Sequence, residues 1–482
     1  MIEYEVSPAR SEYVSGEEVQ ITVRIANRRA VPIEVPDPEM RASVQPVHRL
    51  TGPARAEGVA FTNCRVLPDG SAQAAAGQKL IAIQPGATWT GQFSLNSLTD
   101  VSTPGEYRLT SKLEWEDVQA ESKESNFRVE PLRLSSVHIG LGTRPLEAAE
   151  GGGAFIQRGD GSSQIYSFTF KEMRPAIGEA QVDTPIRRFA AGANATDIAV
   201  PWRRAPFFNE MLKWIVWREG RSVKALSDAA ERPVSLDLPA DLARLVLPPL
   251  KATDGPVEVL AVSRDGTRLF LAEFTGQMGE EGSAKLVWSG ALPERPAGIT
   301  AALASDAAGS YRHVAFVAER PQGFEIFHGQ YKPGGPPPSF RSVRIGTGRL
   351  LPGAEPALFV EPDGRARVGV LALAAGDKPA AELVEAVFGE GAVEEPRPVR
   401  LGELPGKPTG GALLYADKQG ALTRRDAVIA VEGNRLLKMD ADRKLIPVTP
   451  GTPTNPILLA PGKQTSYILC IDPARGLYME AL

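Results

Sequence analysis

Alternating apolar and polar residues over the first 130 positions predict short β-strands. The clearest run is 19–26, in which every second residue from Val19 to Ile25 is apolar. Turn-forming residues separate further runs of this kind, at 59–61, 64–66, 80–83, 89–95, 106–115 and 124–129. About seven short strands with regular turns between them predict a β-sandwich domain over residues 1–131.

From residue 132 onward the pattern becomes a repeat. One four-residue strand recurs, beginning at Val137, Ile186, Val234, Val287, Val343, Val399 and Ile446. Successive starts are 47 to 56 residues apart, close to the length of a β-propeller blade, and three further apolar runs lie between them. Because four strands make one blade, the sequence predicts a seven-bladed β-propeller over residues 132–482.

The two ends of the repeat predict how the propeller closes. The chain ends three strands into its seventh unit, whereas the strand at 137–140 precedes the first complete unit. We therefore expect this N-terminal strand to complete the last blade. Such closure leaves no open sheet edge that could pair with another chain.

Two short motifs resemble known families. Pro104-Gly105-Glu106-Tyr107-Arg108-Leu109, with 125–129 later, resembles the last two strands of bacterial immunoglobulin-like domains, which implies an adhesion, spacer or interaction module. Ser263-Arg-Asp-Gly-Thr-Arg-Leu-Phe270 is similar to a turn of WD40-like propellers, although the Gly-His and Trp-Asp signatures of true WD40 repeats are absent. The predicted fold class is all-β: an immunoglobulin-like β-sandwich plus a seven-bladed β-propeller closed by an N-terminal strand.

Charge and hydropathy limit the kinds of partner and the compartment that the sequence predicts. The net charge is -4 and the basic residues are scattered, which argues against nucleic acid as a partner. No apolar stretch approaches the roughly 20 residues that span a bilayer. The N-terminus enters a strand pattern at once, without the features of a signal peptide. We expect a cytoplasmic protein, the alternative being a mature form whose signal peptide has been removed.

Candidate chemistry is sparse. The two cysteines, Cys64 and Cys470, fall in different predicted domains, and the four histidines are dispersed, so neither a metal site nor a cofactor is predicted. The loops that enter the first strands of the repeats are rich in Pro and Gly. The charges near these loops are mostly basic, at Arg295, Arg349 and Lys407. No catalytic residue is predicted, and the sequence favours a protein that is not an enzyme.

The most unusual segment is 201–209, in the second repeat. Aromatic residues and arginines in one loop are the composition of a binding hot spot. The alternative is that the aromatic rings fold back onto the blade and the arginines are solvated. The predicted partner-binding residues are Trp202, Arg203, Arg204, Phe207 and Phe208.

These observations favour a non-catalytic protein–protein interaction or scaffold module, with a protein as its partner. One alternative is a propeller hydrolase or lyase that acts on a carbohydrate or peptide in the central channel. A cluster of carboxylates at the channel mouth would favour this enzyme. The other alternative is a periplasmic or cell-surface binding protein. No oligomeric state is predicted.

Overall fold

The computed structural model describes most of the chain, in segments. These are residues 1–39, 43, 45–53, 55–62, 79–132, 139–143, 150–158, 162–204, 211–227, 230, 232–246, 256–276, 282–303, 311–376, 378–418, 421–433, 435–448, 452–453, 457–472 and 476–482. The prediction of an all-β fold is confirmed, because the helices of these segments are two single 3₁₀ turns, Leu95–Ser97 and Pro175–Ile177. No helix in the described segments is long and apolar enough to cross a membrane.

The chain divides into two compact units. The first comprises Met1–Arg133, Thr184–Arg187 and Asp472–Leu477, and the second comprises Leu134–Asp183, Arg188–Ile471 and Tyr478–Leu482. The domain boundary between residues 131 and 132 stays a prediction.

The first unit contains three sheets in the described segments, whose strands pair antiparallel except for one parallel pair, β2 with β11. The strands, numbered in chain order, are β1 (Ile2–Pro8), β2 (Glu12–Val14), β3 (Gln20–Asn27), β4 (Ile33–Pro36), β5 (Val47–Gly52), β6 (Arg55–Phe61), β7 (Leu80–Ile83), β8 (Thr88–Ser94), β9 (Gly105–Trp115), β10 (Val118–Glu121) and β11 (Ser125–Glu130). The sheet orders are β1-β3-β8, β2-β11-β9-β5-β6 with β10 on β9, and β4-β7. The alternating face of β3 is buried and shares one hydrophobic core with residues of the second sheet, such as Leu109 and Phe127.

Seven further sheets in the described segments, called sheets 1 to 7 in chain order, lie in the second unit, except for residues 184–187 of sheet 1 and residues 472, 476 and 477 of sheet 7. Their strands are β12 (Ile139–Thr143), β13 (Glu150–Arg158), β14 (Ser163–Arg174) and β15 (Glu179–Ala191) in sheet 1; β16 (Ala195–Ala199), β17 (Trp202–Arg204), β18 (Met211–Glu219), β19 (Ser222–Ser227) and β20 (Val234–Asp237) in sheet 2; β21 (Leu242–Val246), β22 (Val257–Ser263), β23 (Arg268–Thr275) and β24 (Ser283–Ala291) in sheet 3; β25 (Gly298–Leu303), β26 (Arg312–Glu319), β27 (Phe324–Tyr331) and β28 (Ser339–Ile345) in sheet 4; β29 (Arg349–Leu350), β30 (Ala357–Val360), β31 (Ala366–Leu373), β32 (Ala380–Phe388) and β33 (Arg397–Glu403) in sheet 5; β34 (Pro408–Lys418), β35 (Ala421–Val431), β36 (Arg435–Met439) and β37 (Leu445–Val448) in sheet 6; and β38 (Thr452–Pro453), β39 (Leu459–Pro461), β40 (Ser466–Asp472) and β41 (Gly476–Ala481) in sheet 7.

Burial explains the strand patterns of these sheets. The second strands of sheets 3 and 4 are almost entirely buried, namely all seven residues of β22 and seven of the eight residues of β26. The fourth strands alternate and are largely exposed, as in β24 and β28. Six of the seven recurring strands in the sequence are fourth strands, namely those beginning at Ile186, Val234, Val287, Val343, Val399 and Ile446.

The first recurring strand behaves differently from the other six. Ile139 pairs with Phe155 and Gly140 pairs with Ala154, so this part of the segment lies in the first strand of sheet 1. Val137 and His138 lie outside the described residues. In sheet 7, the described strands β38 and β39 pair along one edge of β40 and β41 pairs along the other. Closure by an N-terminal strand therefore stays a prediction, and Ile139 and Gly140 are not part of such a strand.

The first strands of successive sheets are neighbours. β12 contacts β16, and the contacts continue through β21, β25, β30 and β34 to β39, which in turn contacts β12. The start of each first strand lies at the same end of its sheet as the turn between the second and third strands, because neighbouring strands are antiparallel. We call this the strand-start end.

Candidate functional site

Asp197 occupies an irregular position in the first strand of sheet 2. The pairing of β16 with β18 shifts between Thr196 and Ile198, which makes Asp197 the extra residue of a β-bulge. The φ angle of Asp197 is 57°, in the left-handed region. Such a backbone costs about 1–2 kcal/mol for a residue with a Cβ atom. Bulges often occur beside active sites, where they redirect a side chain.

The redirected carboxyl group of Asp197 is held by sheets 2 and 3. The main-chain N–H of Leu245 donates a hydrogen bond to Oδ2 of Asp197. Nε of Arg218 lies 3.6 Å from the same oxygen, and Nη1 of Arg218 donates to the carbonyl of Leu242 at 2.9 Å. Burial raises the pKa of Asp197, although Leu245, Arg244 and Arg218 oppose the shift. The environment therefore favours the protonated acid more than water does.

A second carboxyl group reaches this site through Arg244. Arg244 follows a bulge in the pairing of β21 with β22, and its Nη2 forms an ion pair with Oε1 of Glu355. Glu355 lies in the loop before β30, and half of its side chain is exposed. Burial lowers the pKa of Arg244, and the attraction of Asp197 opposes this shift. Arg244 thus interacts with two carboxyl groups, one half-buried with a raised pKa and one more open to water.

A pocket of about 170 Å³ adjoins Arg244 at the strand-start end, between sheets 3 and 4. Its wall includes three arginines, Arg244, Arg264 and Arg295, together with Ser263 and Gly266 of the turn between β22 and β23. We call it the arginine pocket. Arg295 was one of the basic residues that the sequence placed near the starts of the first strands, and it does lie in this wall.

A larger pocket, of about 480 Å³, lies between sheets 5 and 6 at the opposite ends of the first strands. Its wall contains Glu361, Asp363, Arg365, Arg367 and Arg425. All three arginines are already ion-paired with neighbouring carboxylates: Arg365 with Glu361 and Asp363, Arg367 with Glu361, and Arg425 with Glu385. Neighbouring carboxylates neutralise the arginines of this wall, so the stronger candidate for chemistry lies at the other end of the sheets. We call it the strand-start cluster, and it comprises Asp197, Arg218, Arg244, Arg264, Arg295 and Glu355.

The residues predicted to bind a partner are only partly described. Trp202 is 7% exposed, and its ring packs against Gly152 of β13. Arg203 and Arg204 pair with Leu212 and Met211 in sheet 2. Phe207 and Phe208 lie outside the described residues, as does Cys64. Cys470 is buried, which raises the pKa of its thiol to about 12.

Asp197, Arg244 and Glu355 were missed in the sequence. Asp197 lies about 50 positions from Arg244 and more than 150 from Glu355. The loop Leu351-Pro352-Gly353 was noted for its Pro and Gly content, yet the nearby Glu355 was not singled out. The only local signal was the position of both acids at the entrance to a first strand.

Comparison with known proteins identifies the fold alone. No family model and no curated protein matches the chain. Among solved structures with propeller-type folds, the chain is similar to one from a study of two prolyl endopeptidases (13% identity, 72% of this chain and 47% of that chain, TM-score 0.36). It is also similar to an alpha-L-arabinanase from Penicillium chrysogenum complexed with arabinobiose (8% identity, 59% of this chain and 92% of that chain, TM-score 0.32). A third similar structure is the WD40 domain of coronin from Toxoplasma gondii (8% identity, 73% of this chain and 94% of that chain, TM-score 0.32).

These comparisons require one correction. The sequence favoured a non-catalytic scaffold, but the prolyl endopeptidases and the arabinanase are enzymes, so that prediction is contradicted and we withdraw it. The chain spans about half the length of the prolyl endopeptidase that it matches. At these identities and TM-scores no activity is carried over, and the function must be argued from the strand-start cluster itself.

Proposed function

We propose that the second unit is a glycoside hydrolase whose catalytic groups are the carboxyls of Asp197 and Glu355. The observation that carries the proposal is Asp197 in a left-handed bulge, with a pKa raised by burial and linked through Arg244 to the exposed Glu355. Hydrolysis of a glycosidic bond requires two carboxyl groups in different protonation states. The more enclosed environment of Asp197 and the more exposed environment of Glu355 favour such a difference.

The environments assign the two roles. Asp197, whose pKa is raised by burial, donates its proton to the glycosidic oxygen as the bond from this oxygen to the anomeric carbon breaks. Glu355 accepts a proton from the water that attacks the anomeric carbon. The products are two sugars with free hydroxyl groups, so all atoms are accounted for. Arg244 and Arg218 act as positioning residues for the two carboxyls.

Substitution of each carboxyl group tests the proposal. We expect Asp197→Asn and Glu355→Gln each to lower kcat at least 100-fold for release of reducing sugar from a panel of polysaccharides. The matched control is Glu403→Gln, an exposed carboxylate on β33 paired with Lys378 at 3.7 Å, which should keep the wild-type rate. Thermal melting of each variant checks that it is folded. A folded wild-type chain that cleaves no member of the panel, or full activity in both variants, would contradict the assignment.

We also propose a finer description of the fold. The second unit would be a seven-bladed propeller, a reading supported by its seven described sheets and by the closed succession of neighbouring first strands from β12 to β39. The first unit would be an immunoglobulin-like sandwich, supported by the core that its sheets share. An experimental structure that shows another number of blades would contradict the first reading.

A further inference from the structure

The strand-start cluster carries more positive than negative charge. Four guanidinium groups, those of Arg218, Arg244, Arg264 and Arg295, accompany the two carboxyls of Asp197 and Glu355. Burial lowers the pKa of Arg218, and the like charge of Arg264 lowers it further. The excess is therefore concentrated in the arginine pocket, whose wall contains no carboxylate among the described residues.

The acidic neighbours of Arg264 and Arg295 along the chain, Asp265 and Glu294, have other partners. Asp265 accepts hydrogen bonds from the Ser263 hydroxyl (2.5 Å) and the Thr267 N–H (3.0 Å) within its own turn, and these bonds lower the pKa of Asp265 to about 2. Glu294 forms an ion pair with Arg320 at 2.8 Å. Neither carboxylate forms an ion pair with Arg264 or Arg295 among the described residues.

Arg264 and Arg295 remain without a counter-charge. In the part of the chain that the structure describes, neither guanidinium forms an ion pair or a side-chain hydrogen bond. Arg264 contacts Asp241 only through the main chain, where its N–H donates to the Asp241 carbonyl at 2.7 Å. Two unpaired guanidiniums beside a concave wall form a binding site suited to an oxyanion.

The turn Ser263–Gly266 positions one of these arginines. A Cβ atom at residue 266 would lie 2.4 Å from Cγ of Arg295, so the side chain of Arg295 packs directly over Gly266. Gly266 has a φ angle of 74°, a conformation that favours glycine. The chain thus fixes the stem of Arg295 across the pocket wall.

We propose that the arginine pocket binds an anionic group of the substrate, which makes the substrate an acidic carbohydrate such as a polyuronide. This inference rests on the proposed hydrolase function, because Arg244 contributes both to the pocket and to the carboxyl pair. The volume of about 170 Å³ suits one charged group rather than a whole saccharide chain.

Calorimetric titration of the full chain tests this inference. The probes are trigalacturonate, the neutral galactotriose and a glutamate peptide of equal charge. We expect wild type to bind trigalacturonate at least tenfold more tightly than either of the other probes. Arg264→Gln/Arg295→Gln should lose at least tenfold in affinity for trigalacturonate. The charge-matched control Arg344→Gln/Arg400→Gln alters exposed arginines of the fourth strands β28 and β33 and should bind as wild type.

The outcomes separate this inference from the hydrolase proposal. Equal affinity for trigalacturonate and galactotriose, or unchanged binding in the pocket variant, would overturn the anionic substrate. Tighter binding of the peptide would overturn the carbohydrate. Chromatography of the recovered sugar reports cleavage separately. Selective binding of trigalacturonate without cleavage, by a chain that also fails on the polysaccharide panel, would leave the anion site standing and overturn the hydrolase.

Discussion

At the scale of single residues, the left-handed backbone of Asp197 allows the effect of backbone strain on stability to be measured separately from the loss of the carboxyl group. Asp197→Ala and Asp197→Gly both remove the carboxyl group and leave Leu245 N–H and Arg218 equally without it. Only alanine keeps a Cβ atom at φ 57°. We therefore expect the glycine variant to be more stable by about 1 kcal/mol. Urea unfolding measures this difference, and equal midpoints would show that the backbone at this position is not strained.

The residues of the proposed site mark the limit of what a linear sequence reveals. The Pro and Gly content of the loops before the first strands was recognised, and so was the basic character of Arg295. Asp197 and Glu355 were not, because their proximity depends on which first strands become neighbours. The binding role predicted for Trp202 stays a prediction. Its side chain is buried against Gly152, as expected under the alternative in which the aromatic rings fold back onto the blade.

At the scale of elements, sheets 5 and 6 are joined by a partly buried polar network. Glu385 on β32 accepts hydrogen bonds from the Tyr415 hydroxyl (2.7 Å) and from Nε of Arg425 (2.8 Å). Burial raises the pKa of Glu385, but the hydrogen bonds from Arg425 and Tyr415 outweigh this and leave the pKa below its usual value. The contribution of Glu385 to stability is therefore present above the unfolded pKa and is lost as the pH falls.

This network predicts an asymmetric response to mutation along one strand. Glu385→Ala leaves Arg425 without its carboxylate and the Tyr415 hydroxyl without its acceptor, and we expect a loss of about 3 kcal/mol in unfolding free energy. Glu382→Ala, on the same strand β32, is the control, because no ion pair of Glu382 is recorded among the described residues, and it should cost under about 1 kcal/mol. Denaturant unfolding compares the two, and equal losses would contradict a special role for Glu385.

The positions of the strands were predicted better than the neighbouring strands with which they pair. The run predicted at 19–26 corresponds to β3 (Gln20–Asn27), because the alternation of apolar and polar residues reports which face of a strand is buried. The letters Val-x-Ile-Gly occur both at Val137 and at Val343, yet Ile139 pairs in a first strand whereas Val343 lies in a fourth strand. A four-residue motif contains no information about the strand beside it, so it cannot distinguish a first strand from a fourth strand.

At the scale of the whole molecule, each unit contains a buried histidine that resists protonation. His48, in the first unit, lies between Phe61 and Phe93 with ring centroids 5.4 and 4.9 Å away, and burial lowers its pKa to about 3. His328, in the second unit, shares a 2.9 Å hydrogen bond between its Nε2 and Nδ1 of His313. Burial, then repulsion from His313 and Arg341, lowers the pKa of His328 to about 3.

The lowered pKa values of these two histidines therefore predict that both units lose stability in acid. The unfolded chain binds a proton on each ring below about pH 6.5, whereas the folded chain does not until about pH 3. The contribution of the two neutral rings to the free energy of unfolding is complete above pH 6.5. It falls by up to about 1.4 kcal/mol per pH unit for each histidine as the pH decreases. Urea unfolding at pH 7, 6, 5 and 4 measures this slope. In His48→Gln and His328→Gln the slope should decrease by about one proton each. The comparison of slopes removes any loss of packing, since such a loss shifts stability equally at every pH. Slopes that match wild type in both variants would show that these rings do not govern the acid response.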